Sequence, residues 1–353
     1  MAAHRRLAAA WTTGLGLLAC ALPVAAQVRP PGSEHAPPAF TFHKIRDDLY
    51  HAVGTGSMAV GANAAIVIND ADVLLVDSHV SPASAQVLLD ELKAITSKPV
   101  RYVVNTHFHF DHTHGNQIYP ASVEIIGHEV TREAVASGAS MRGRGYDRFI
   151  GGLPQQIATL RAQLDTATTP ASRAELERRI RIQENYRMAT AAVRPVPPTV
   201  AFDSRLTLFR GGREIRLLFF GRGHTGGDVV VHLPRERVLI TGDLLTAGLS
   251  YMGDAFVPDW IETLERIKQL SFDTILPGHG LPFQQRERID HFQAYLADFW
   301  AKVVQLQRAG VPAEEAARRM DMRNHATNYP TIRAVGVDLD AVRRAYEVLS
   351  PPR

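Results

Sequence analysis

The sequence predicts an α/β fold of layered sheets and helices, with a metal site gathered at the strand ends. Three observations carry that reading. Short β-branched runs alternate with helical patterns over most of the 353 residues. One run, Val100 to Val104, leads into Asn105-Thr106-His107-Phe108-His109-Phe110-Asp111-His112-Thr113-His114, where three His and one Asp of metal-ligand type fall within residues 107 to 112. Three more such residues, His224, Asp243 and His279, each stand just beyond a different apolar run.

Taken in order, the chain opens with the pattern of an export signal. His4, Arg5 and Arg6 precede an apolar stretch from Leu7 to Leu22, and Val24-Ala25-Ala26 forms a small-residue cleavage site before Gln27. Residues 1–26 are therefore predicted to be a signal peptide, and the mature protein periplasmic or secreted. Thr12, Thr13 and Gly14 interrupt the apolar core, which is too short for a membrane span. A competing motif, Leu17-Leu18-Ala19-Cys20, resembles a lipoprotein processing site and would put a lipid anchor on Cys20. Cys20 is the only cysteine, so a chain cut after Ala26 has no disulfide and no thiolate, and any metal must be held by His and carboxylate. The formal net charge of +3, partly within the signal, points to neither nucleic acid nor an anionic membrane. A small molecule is the expected partner.

Residues 27–39 form a Pro-rich linker, too poor in apolar side chains to pack. Strands are predicted over 40–45 and 49–53, then a glycine-punctuated stretch, 54–61, and a hairpin of 64–68 with 73–76 turning at Asn69-Asp70. Ser81-Pro82 supplies the cap and first turn of a helix whose Ala85, Leu88, Leu92 and Ile95 share one face. The strand 100–104, a short helix near 115–118, a strand over 123–126 and a helix from Glu129 follow. At 139 the character changes. Gly- and Arg-rich 141–150 precedes two helical patterns, one with Ile157, Leu160 and Leu164 and one with Leu176 and Ile180, and Pro195, Pro197 and Pro198 end the segment. Ten Arg and five acidic residues between 139 and 194 predict a solvated face. The stretch 139–198 reads as an inserted helical hairpin, where lids and specificity loops tend to lie. Strands resume over 206–209, 214–220, 228–233, 238–241 and 274–276, and Asp259 with Glu262 predicts a capping box for a helix carrying Leu264 and Ile267. Helices over 284–309, 313–320 and 338–349 make 284–353 a C-terminal helical extension.

The spacing of the cluster explains its chemistry. His107 and His109, two residues apart on an extended segment, project to one side and can share an ion, while Asp111 and His112 follow where the strand ends and can face a second position. Imidazole and carboxylate at this density suit zinc best, though iron and manganese accept the same groups. Loops beyond strand carboxyl ends converge on the crevice in layered α/β folds, which brings His224, Asp243 and His279 to the same place.

Together, His107-x-His109-x-Asp111-His112, Gly223-His224-Thr225-Gly226-Gly227-Asp228, Thr241-Gly242-Asp243 and Pro277-Gly278-His279-Gly280 resemble the ordered motifs of the metallo-β-lactamase superfamily, and Asp77 resembles that family's early structural Asp. The resemblance covers about residues 40–138 and 199–283, so 40–283 is expected to be one domain of this type carrying the insertion. It implies a four-layer αββα sandwich with the site at one edge. It also implies one ion on His107, His109 and His224, a second on Asp111, His112 and His279, and Asp243 bridging them. The function expected is then that of an exported dinuclear zinc hydrolase, two ions per chain, which cleaves a small carbonyl substrate (β-lactam, lactone, ester or amide) with hydroxide held between the ions. Asp111 would both ligate and shuttle a proton as the catalytic carboxylate. Two competing readings are an iron-dependent oxidoreductase like the sulfur dioxygenases, which use fewer ligands, and a glyoxalase II-like thioester hydrolase, which needs a cytosolic thiol pool.

Gly221-Arg222-Gly223-His224-Thr225-Gly226 also fits a dinucleotide-binding pattern, but a strand rather than a helix is predicted next. His114 is expected behind the ligands or at the rim rather than on a metal, and Met141 to Tyr146 and Leu249 to Phe256 are candidate pocket walls. His79 and His128 are assigned to core or surface, and His43, His51, His291 and His325 carry no signal.

Overall fold

A computed structural model describes residues 29–350, so the predicted signal peptide and Cys20 lie outside the described residues. Seven strands form the first sheet in chain order: β1 (Phe40–Arg46), β2 (Leu49–Gly54), β3 (Ala64–Ile68), β4 (Val73–Val76), β5 (Val100–Val104), β6 (Glu124–His128) and β7 (Val200–Phe202). The first four pair antiparallel and the rest parallel, with α1 (Pro82–Leu92) crossing between β4 and β5. Every residue of β3 and β4 is buried. Their unbroken Ala, Val, Ile and Leu runs suit strands covered on both faces.

Five strands form the second sheet: β8 (Arg205–Arg210), β9 (Arg213–Phe219), β10 (Val229–Leu233), β11 (Val238–Gly242) and β12 (Thr274–Pro277), with only β11 and β12 parallel. Alternation along each strand separates three cores. Leu74, Val76, Val104 and Ile126 meet Ile215, Val231, Ile240 and Leu276 between the sheets. Leu75 and Val103, on the opposite face of the first sheet, pack under Val87 and Leu88 of α1. Val230, Leu239 and Ile275 pack outward against Trp260, Leu264 and Ile267, which share their cluster with Phe292, Leu296 and Phe299. The result is an αββα sandwich, and burial of apolar area on both sides of each sheet is what holds it.

The remaining helices decorate this frame. α2 (Phe110–Thr113) is a single turn within the His-rich stretch, and α3 (Glu129–Ala136) follows β6. The insertion holds a short turn, α4 (Arg144–Tyr146), a wider π-type turn over Asp147–Gly151, and the antiparallel pair α5 (Leu153–Thr166) and α6 (Pro170–Ala191). On the other face lie α7 (Val257–Ile267), α8 (Glu287–Arg308), α9 (Ala313–Arg319) and α10 (Leu339–Leu349). Among the described residues, no helix is long and apolar enough to cross a membrane.

Two local expectations need correction, and one strand was not anticipated. α7 starts at Val257, ahead of Asp259, and has no side-chain cap. Pro258 in its first turn pre-sets the helical φ, which leaves Asp259 free to accept from Arg222 Nε at 2.6 Å. β7 escapes a periodicity reading because three residues after Pro198 are too few to show a period. β5 ends at Val104, so His107 and His109 sit on a bent connection past the strand, not on extended strand.

Candidate metal centre

The connections after β4, β5, β9, β11 and β12 converge at one edge of the sandwich and bring all seven anticipated side chains together. His107 Nε2 and His224 Nε2 each lie 3.0 Å from His109 Nδ1. On the other side, His279 Nε2 is 3.2 Å and His112 Nε2 3.6 Å from Asp111 Oδ2. Asp243 stands between the groups, its Oδ2 3.6 Å from His224 Nε2 and 3.2 Å from His279 Nε2, its Oδ1 3.6 Å from His112 Nε2.

Each side chain is aimed by a second contact, the usual arrangement around metal ligands. His112 Nδ1–H donates to Asp77 Oδ2 at 2.7 Å, which leaves Nε2 with its lone pair toward the cluster. Asp77, at φ 68°, also accepts from the Thr106 amide and hydroxyl, so it fixes the ligand loop as well as the ring. His109 is turned the other way: Nε2 pairs with Asp254 Oδ2 at 3.1 Å, and Nδ1 faces inward. Asp254 is an orienting contact that motif reading missed, although it falls inside the 249–256 wall. His224 is held by its turn, which closes where Asp228 accepts from Thr225 N and Oγ1, and by Trp260 edge-on behind it. Burial of that carboxylate raises its pKa to about 6.

Two glycines are demanded by the crowding. A Cβ on Gly242, at φ 51°, would come 2.5 Å from Thr106 Oγ1, and one on Gly278 would come 2.2 Å from Asp243 Oδ1.

Whether these residues suit a metal can be tested on their unsatisfied atoms. His112 Nε2 and Asp243 Oδ1 are buried with no hydrogen-bond partner, a costly state for polar groups in a protein interior. His107, His109 and His224 aim three nitrogens at one spot, where hydrogen bonds cannot satisfy them all. Burial, joined by the neighbouring imidazoles, holds His107 well below the usual histidine range and His224 at about 3, so both are neutral and lone-pair bearing. Around the second group, burial opposes protonation, but the carboxylates outweigh it and raise both His112 and His279. Positive charge is thus called for where the acids meet, and divalent cations match it. The donor set fits.

His114 is buried against Phe110 and Tyr146 and lies outside the convergent groups. His79 is buried, with its Nδ1 2.8 Å from the Ala62 carbonyl, and His128 lies against Phe219. His51, which carried no sequence signal, is buried on β2 and donates from Nε2 to the Pro277 carbonyl, tying the first sheet to the end of β12, two residues before His279. Burial lowers its pKa to about 4, below the unfolded value of about 6.5. As pH falls from about 6.5 to about 4 the unfolded chain takes a proton that the folded site resists, so stability present above that window is lost across it, by roughly 3 kcal/mol. Urea unfolding at about pH 7.5 and about 4.5 should show the slope shrinking by about one proton in His51→Gln. An unchanged slope would remove His51 from the account.

A model of the metallo-beta-lactamase superfamily matches residues 58–279. The chain is 23% identical over 303 residues to the linear primary-alkylsulfatase of a Pseudomonas species, covering 78% of this chain and 53% of that protein. It is 27% identical over 252 residues to 2,4-dinitroanisole O-demethylase subunit alpha of a Nocardioides species, covering 70% of this chain and 61% of the relative. Those relatives are thus considerably longer than the span this chain matches. Among solved structures, a stereoselective inverting sec-alkylsulfatase from a Pseudomonas species superposes with a TM-score of 0.64 at 17% identity, over 87% of this chain and 50% of that one. With the matched model spanning every one of the seven convergent residues, on a sandwich whose connections place them at one edge, the chain belongs to the metallo-beta-lactamase superfamily.

Proposed function

We propose that the protein is a dinuclear zinc hydrolase acting on a small molecule with an electrophilic carbonyl: a β-lactam, lactone, ester or amide. The observation that carries this reading is Asp243, whose Oδ2 stands within 3.6 Å of a nitrogen from each of two His-rich groups. His107, His109 and His224 would hold one ion, and Asp111, His112 and His279 the other, with Asp243 shared. Two divalent ions there would supply Lewis acidity and make water nucleophilic near neutral pH. The chain's own residues do the rest. Asp111 lines the adjoining cavity and, with Oδ2 turned to His112 and His279, has its other oxygen with which to pass a proton toward a leaving group, while Asp77 and Asp254 keep His112 and His109 in the tautomers that face inward.

A second reading, cleavage of a sulfate ester, is favoured by one observation. The cavity beside the cluster is largely apolar and suits a hydrocarbon body, and two of the similar proteins are named as alkylsulfatases. The protein is further proposed to act outside the cytoplasm, on the strength of the sequence pattern at residues 1–26.

One experiment covers these points. The purified chain is assayed for metal and screened, with and without chelator, against a cephalosporin, homoserine lactone, aryl ester, thioester, phosphodiester and alkyl sulfate. The expected result is about two zinc per chain and hydrolysis of a carbonyl substrate that the chelator abolishes. Preference for the alkyl sulfate selects the second reading; one iron per chain without hydrolysis would transfer the protein to the oxidoreductases. The intact mass of the same preparation should correspond to a chain starting at Gln27, and a lipidated Cys20 would correct that.

A further inference from the structure

Beside the metal cluster lies a cavity of about 380 Å³ that Asp111, Asp243 and His279 share with the insertion. Its volume falls in the range of small-molecule sites. Six aromatic side chains from four separate parts of the chain wall it: Phe108 and Phe110 beside the ligands, Tyr146 and Phe149 from 144–151, Tyr186 from α6, and Tyr251 after β11. Their arrangement is that of a ring-lined slot. Phe110 meets Tyr146 edge to face at 5.8 Å and Phe149 tilted at 6.3 Å, Phe149 meets Tyr251 edge to face at 6.4 Å, and Tyr251 meets His109 likewise at 6.1 Å.

Phe149 is the revealing residue. It is 46% exposed, so its apolar face is held at the cavity rather than sunk into a core. It is also held on purpose-built backbone. The turn that carries it is anchored from outside, with Arg144 paired to Glu347 and Arg148 to Asp338 and Asp340 at the C-terminal helix. Isolated exposed ion pairs add little stability, but three contacts onto one short turn fix where its inner face points. The C-terminal extension thereby sets the shape of a cavity it does not itself line.

We infer that this slot receives the non-reacting part of the substrate and that this part is an aromatic ring. The inference rests on the reading of the cluster as the reaction site and deepens it. Apolar area alone would accept a saturated ring or an alkyl chain equally well; several aromatic edges and faces around one space favour a π system, whose quadrupole they complement. Charge narrows the class further. Asp111, Asp243 and Asp254 line the cavity beside His109 and His279 at the metal end, whereas away from that end Arg142 is the charged side chain among the lining residues, so a cationic ring is disfavoured.

Binding of matched probes to the full metal-loaded chain, read by calorimetry, tests this without turnover. Naphthalene-2-methanol is expected to bind about threefold to tenfold tighter than decahydronaphthalene-2-methanol, which offers similar size and the same hydroxyl. The cationic naphthalene-2-methylammonium should bind more weakly than the alcohol. Phe149→Leu with Tyr146→Leu keeps apolar bulk and should erase the arene preference while metal content stays at the wild-type value. Equal binding of the two alcohols by the wild-type chain, or a preference that survives both substitutions, overturns the inference. Because the readout is binding, an arene preference in a chain found to lack hydrolysis would keep the slot and remove only the hydrolase reading.

Discussion

Replacing Asp77 with alanine is expected to cost about 3 to 5 kcal/mol of unfolding free energy and to weaken metal binding by about 10- to 100-fold. The carboxylate is 2% exposed and satisfies three donors, the Thr106 amide at 2.8 Å, the Thr106 hydroxyl and the His112 Nδ1–H at 2.7 Å. Its removal leaves a buried amide and a buried imidazole N–H unpaired, the situation in which a hydrogen bond costs most. It also frees the His112 ring to turn its lone pair away from the cluster. Asp77→Asn should fall between the two, since its amide can accept from Thr106 but must present N–H where His112 also donates. Urea unfolding of the metal-free chain separates the structural loss from the metal loss, which a zinc competition titration reads. Wild-type values in both measurements would show that Asp77 neither supports the loop nor orients the ring.

Replacing Asp243 with alanine is the corresponding change inside the cluster. Its two oxygens face three imidazoles belonging to both groups, so its loss should release one of two ions and lower kcat/KM by about 100-fold or more, since orienting contacts further out already cost 10- to 100-fold. The fold should survive. Asp243 follows β11, whose residues are buried by packing between layers that the substitution leaves intact. Metal content near one per chain with native far-UV circular dichroism is the expected pair of results. Two retained ions with full turnover would mean that Asp243 is not shared between the groups.

The cluster was legible because its information is local. Two His spaced by one residue, an Asp-His pair beside them and a ligand-type residue after each of three apolar runs can all be read along the chain, and strand ends in layered folds share one edge. The partners that orient the ligands were less so. His109 presents Nδ1 rather than Nε2 because Asp254, 145 residues away, takes the other nitrogen. His51 is isolated in sequence and acquires its buried hydrogen bond only when β2 lies beside the end of β12. α7 escaped its apparent capping box because Pro258 starts the helix earlier and Arg222, from another loop, engages Asp259.

By itself, the sequence determined the alternation of strands and helices, the inserted hairpin and the identity of the seven convergent side chains, since periodicity and short spacing are properties of contiguous residues. Tertiary structure alone decided which nitrogen each histidine offers, and that rings from the ligand loop, the insertion and the loop after β11 line one cavity, one wall of which is anchored by the C-terminal helix. Those outcomes depend on distances between segments up to about two hundred residues apart, and packing of the layers, rather than any local preference, sets such distances.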